Sequence, residues 1–177
     1  MEERGNHRGH WYVAALALLA AGALLGWEHT HGGVPSHHLL DRPDLPAVSN
    51  GWSIVVLPLL GWLASRSAFS RVRAQAASGL GVALAFAGSA SLGVALSVAF
   101  TTGHASLSSW LFLAAFACGI PLRTYRPEYL FGFVVGMAFA FGAVLPTLVG
   151  SVAALTSLAF HRLVRPAVGW TLARARA

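Results

Sequence analysis

The sequence predicts an all-α, polytopic integral membrane protein, a bundle of six transmembrane helices with five as the alternative count. Three observations carry that prediction. Hydrophobic residues make up 56% of the chain and charged residues only 10%, a balance far from that of a water-soluble domain. Mean hydropathy is +0.64, and uncharged apolar runs approach or exceed the roughly 20 residues that cross about 30 Å of hydrocarbon. The ten-residue segments of alternating polarity that mark a transmembrane barrel are not visible. Residues 1–177 therefore read as a single membrane domain.

The first span is placed at residues 11–27, with Trp11 and Trp27 at its two ends, where indole rings settle at headgroup level. Arg4 and Arg8 before it, and Ala21-Gly22-Ala23 within it, also fit a secretory signal peptide. That triplet lies inside the apolar run rather than after it, so an uncleaved helix is expected. A polar outer loop, 28–47, leads to the second span at 48–64. Ser49 and Asn50 read as caps at its start, and Pro58 should kink it.

The third span, 76–100, carries Gly81, Ala85, Ser89, Gly93 and Ser97 at four-residue spacing, which puts five small residues on one face. Small faces let helix backbones approach closely in lipid, so this helix is expected at the centre of the bundle. Gly22 with Gly26 and Gly132 with Gly136 repeat the pattern. Such faces serve packing within the chain, and also offer a route to a homo-oligomer or a membrane-protein partner. The fourth span, 107–122, ends at Pro121 and Arg123.

From Tyr129 to Leu163 the chain is apolar for 35 residues, roughly 52 Å as one helix and too long for an ordinary crossing. Gly142, Pro146 and Thr147 divide it into spans at 129–145 and 147–163. Arginine placement supports the division, because cytoplasmic loops collect positive charge. Arg66, Arg71 and Arg73, then Arg123 and Arg126, then Arg162, Arg165, Arg174 and Arg176 fall on one side only if the stretch crosses twice. Both termini are then cytoplasmic. The basic tail, 164–177, follows as either an interfacial helix or an extended segment.

The positive charges are all arginine and alanine is abundant, which suggests a GC-rich bacterial source and a cytoplasmic (inner) membrane location. The arginines flank apolar runs, so the expected partners are membrane lipids and not nucleic acid. Cys118 is the single cysteine, which excludes an intramolecular disulfide and a cysteine zinc site.

Residues 27–44 hold four of the eight histidines and three of the six acidic residues. Imidazole nitrogen and carboxylate oxygen suit one divalent transition metal such as zinc, and a loop at the membrane edge can hold charge without burying it in lipid. The candidate ligands are Glu28, His31, His37, His38 and Asp41, with His104 from the other outer loop. Glu28 and His31 share a helix face if the first helix runs to Gly32. His38 and Asp41, and His37 and Asp41, do so if Ser36 caps a short turn. A single Glu-x-x-His pair falls short of the set that a di-iron bundle needs.

The expected activity is a metal-dependent, hydrolase-like reaction on a lipid or amphiphilic substrate at the outer face, with Asp41 or Glu28 as general base. A non-catalytic membrane subunit or scaffold is the alternative, with the histidines as a loop surface. A metal-ion permease is the second alternative, disfavoured because no span carries a mid-membrane ionisable group. Glu128 is expected to pair with Arg126 at the inner surface.

Overall fold

The computed structural model describes residues 8–38, 44, 46–167 and 174. Helix α1 spans Gly9–Thr30. A short antiparallel hairpin follows, β1 at Ser36–His38 and β2 at Ala47–Ser49, with His37 opposite Val48. One 3₁₀ turn, Asn50–Trp52, leads into α2, Ser53–Arg73, and Pro58 lies within that helix. Then come α3 at Gly79–Thr101, α4 at Ala105–Ala117, α5 at Pro127–Phe141 and α6 at Val144–Ala159. Helix α6 runs on to Ala167 through a π-helical turn at Phe160–Val164.

Four of these segments are long and apolar enough to cross a membrane: Gly9–Thr30, Asn50–Arg73, Gly79–Thr101 and Val144–Ala167. Helices α4 and α5 are apolar but have only 13 and 15 residues, about 20 and 22 Å at 1.5 Å per residue. Leu19, Leu80, Leu84, Trp110 and Phe139 are exposed, as suits side chains whose solvent is hydrocarbon.

The long apolar stretch does fold back on itself. At Gly142 the backbone takes a φ of 64°, which ends α5 and which a residue with a Cβ adopts only at a cost. Gly150 of α6 then lies against Leu130 and Phe133 of α5, and the rings of Tyr125 and His161 meet at 5.9 Å. The start of α5 and the end of α6 are therefore neighbours. At the same end Arg71 reaches Glu128 at 2.6 Å, and His10 packs its ring 5.9 Å from Trp62. This is the arginine end of the bundle. At the opposite, hairpin end, Phe100 meets Phe141 at 4.7 Å and Trp27 meets Phe139 at 5.4 Å.

The most enclosed helix is α5 and not, as expected, α3. It buries Glu128, Phe131, Gly132, Phe133, Val134, Gly136, Met137 and Ala138, while α3 buries only Gly93, Leu96, Ser97 and Ala99. The small residues explain the arrangement, because they work as a matched pair of faces. Ser89 and Gly93 of α3 lie against Gly132 and Gly136 of α5, and the Ser97 hydroxyl donates to the Gly136 carbonyl at 3.2 Å. A Cβ on Gly136 would run into the Ala90 carbonyl oxygen. Since lipid tails are as apolar as leucine, such close backbone contact and its interhelical hydrogen bond, rather than hydrophobic burial, hold the two helices together.

Candidate functional site

Glu28 lies in the last turn of α1 and is 5% exposed. Its Oε1 accepts a 2.8 Å hydrogen bond from Asn50 Nδ2. Asn50 is 2% exposed and opens the 3₁₀ turn before α2. Its own N–H donates to the Pro35 carbonyl at 3.0 Å, which ties the hairpin to the same point. The amide sits over Gly142, where a Cβ would collide with Asn50 Oδ1, so the α5–α6 turn needs glycine for space as well as for its φ. One turn further on, Ser53 Oγ accepts from the Ala143 N–H at 2.9 Å. Four segments of the chain thus converge on the Glu28–Asn50 pair.

Three buried polar atoms at this end have no hydrogen-bond partner among the described residues: Glu28 Oε2, Asn50 Oδ1 and His37 Nε2. Buried polar atoms are satisfied in the large majority of cases, and one left alone costs about 1–3 kcal/mol. The first two are both acceptors, so they call for a proton donor or a cation and cannot satisfy each other. His37 is half-buried on the inward face of β1, its ring 6.1 Å from that of Phe141, next to Gly142.

The other candidates are arranged differently. His31 caps the end of α1, is exposed, and stacks on Trp27 with ring centroids 4.5 Å apart. Its Nδ1 lies 2.9 Å from the Trp27 carbonyl and 3.0 Å from Thr30 Oγ1. Glu28 and His31 are therefore not aimed at a shared point: one carboxylate turns inward and one ring lies along the outside. Ser36 begins a strand and not a capped turn, so His37 and His38 fall on opposite faces of β1, inward and exposed. His104 precedes α4, is exposed, and has its Nδ1 2.9 Å from Thr102 Oγ1. Asp41 lies outside the described residues. Among the described residues, no three of His, Cys, Asp and Glu are grouped closely enough to hold a metal.

Asn50 does not cap the helix start as its place in the sequence suggests. Ser49 does cap the turn, accepting from the Gly51 N–H at 3.1 Å, but Asn50 turns to Glu28 instead. The available signal was depth. Glu28 follows the first apolar run and Asn50 opens the second, so consecutive antiparallel helices bring the two to one level.

At the arginine end, the partner of Glu128 is Arg71 rather than Arg126. The α2–α5 contact brings Arg71 across, and Glu128, 3% exposed, faces inward from the first turn of α5. Comparison with protein-family models, curated proteins and solved structures gives no match for this chain.

Proposed function

We propose that this chain is a metal-dependent membrane enzyme that holds one divalent transition metal at the hairpin end and hydrolyses an ester or amide bond of a lipid or other amphiphile. The observation that carries the proposal is the trio of buried, unpartnered ligand atoms, Glu28 Oε2, Asn50 Oδ1 and His37 Nε2. A single cation is the simplest group that would satisfy two acceptors and an imidazole nitrogen together. Carboxylate oxygen, amide oxygen and imidazole together suit zinc, manganese or iron. Asp41 is the general base of this proposal, with His31, His38 and His104 at the rim where substrate arrives.

The metal would bring the pKa of a bound water to near 7. Water activated in this way would add to the substrate carbonyl carbon, the acyl C–O or C–N bond would break, and Asp41 would take the water proton and pass it to the leaving oxygen or nitrogen. Orientation follows from charge. All six helices cross, the arginine end faces the cytoplasm of a bacterial cell, and the bilayer thins around short α4 and α5. Gly33→Cys and Ala76→Cys should then be labelled from opposite faces; labelling from one face contradicts this topology.

The test is hydrolysis of a fluorogenic acyl-ester lipid by the protein in vesicles. Activity should vanish on chelation, return with zinc, and be absent from His37→Ala. Activity that survives chelation, or none at all, overturns the enzymatic reading.

A second reading has its own support. The convergence of the α1 end, the hairpin, the α2 start and the Gly142 turn on one asparagine suits a structural clamp, as a non-catalytic subunit would need. That reading gains if hydrolysis and metal are both absent while Asn50→Ala loosens the fold. Metal uptake into vesicles without hydrolysis would instead favour a permease.

A further inference from the structure

Toward the arginine end, α3, α4, α5 and α6 leave a half-open cavity of about 500 Å³ between them, within the roughly 300–1,000 Å³ of small-ligand pockets. It forms because small residues face one another, Gly88 and Ala85 on α3 and Gly150 and Ala153 on α6, while α4 buries none of its residues. Because the cavity is half-open, its occupant comes from whatever surrounds the bundle. Water is a poor occupant, because the lining is dominated by groups such as Leu84, Leu92 and Phe133 that offer it no hydrogen bonds. The solvent around a membrane helix bundle is acyl chains.

The polar features lie at one end. Thr124 lines the cavity, and its buried Oγ1 has no partner among the described residues. A smaller cleft of about 200 Å³ shares Gly81, Ala85 and Tyr129 with the cavity and adds Arg126. Glu128, in the same cleft, is neutralised by Arg71 at 2.6 Å, whereas Arg126 forms no ion pair among the described residues. The apolar cavity is therefore adjoined by a cleft that holds Arg126, which has no ion pair among the described residues.

We infer that this cavity is a binding site for one anionic phospholipid, its acyl chain between α3 and α6 and its phosphate at Arg126 in the adjoining cleft. Guanidinium pairs with phosphate oxygens in a bidentate fork, which gives the site a preference for headgroup charge. It is independent of the hairpin end and of any chemistry there.

Native mass spectrometry of the protein released from membranes of mixed anionic and zwitterionic phospholipid tests the inference. Gly88→Leu is the filling variant, because a Cβ at Gly88 meets nothing within 4 Å. Wild type should carry one phospholipid, predominantly anionic. Gly88→Leu should lower occupancy at least fivefold while its circular dichroism and elution stay unchanged. Arg126→Gln should keep a lipid but lose the anionic preference. Unchanged occupancy in Gly88→Leu, unchanged headgroup selection in Arg126→Gln, or a dimer that replaces the lipid adduct would each overturn the inference.

Discussion

Asn50 Nδ2 donates to Glu28 Oε1 across 2.8 Å, joining the last turn of α1 to the turn that opens α2, with both residues buried. A hydrogen bond to a charged group contributes about 1.5–3 kcal/mol, and the loss is larger when the partner stays buried. Asn50→Ala should therefore destabilise the bundle by about 2–3 kcal/mol, read from unfolding midpoints in mixed detergent micelles. In chelator-treated protein Asn50→Asp should cost more, since it sets a second carboxylate against the first, and stability equal to wild type under those conditions would contradict the pairing.

The close approach of α3 and α5 makes a sharp contrast between glycines. A Cβ at Gly136 would run into the backbone of Ala90 and Val94, whereas one at Gly26 of α1 meets nothing within 4 Å. Gly136→Ala should cost about 1–3 kcal/mol by forcing the helices apart. Gly26→Ala should be neutral, or stabilising by up to about 1 kcal/mol through helix propensity. Equal effects of the two substitutions, measured by the same unfolding assay, would show that the helices are not in backbone contact at Gly136.

Arg71 and Glu128 make an ion pair at the arginine end, with side chains 21% and 4% exposed. Removing one partner of a buried pair leaves the other charge uncompensated and typically costs about 3–5 kcal/mol. Arg71→Gln should fall at or below the lower end of that range, because Arg71 keeps some access to the interface, and Glu128→Gln should behave similarly. The double variant should recover part of the loss. Strictly additive losses would mean that the two side chains do not depend on each other.

Much of this architecture was legible from the pattern of apolar runs. The turn at Gly142 followed from a stretch too long for one crossing, and the small-residue faces on α3 and α5 followed from four-residue spacing. What spacing could not supply was the partner of each face. The stripe from Gly81 to Ser97 divides in space, its second half packing on α5 while Gly81 and Ala85 line the cavity. Nothing in the periodicity of one helix encodes that division.

The candidate site was legible as a place but less so as a constellation. Glu28 and His37 stand out by their chemistry, yet residues 36–38 form a strand rather than a helical turn, so His37 and His38 part to opposite faces. Local rules favour Asn50 as a cap. Its tertiary role depends on a residue 22 positions away, a relationship that only the packing of α1 on α2 creates.

The central claim is that Glu28, Asn50 and His37 complete a site for one metal ion. Elemental analysis of protein extracted in mild detergent without chelator tests it most directly. The account predicts about one equivalent of a divalent transition metal in wild type and a loss of at least tenfold in Glu28→Gln and His37→Ala that remain folded. Wild-type protein without stoichiometric metal, or variants that retain it in full, would contradict the claim.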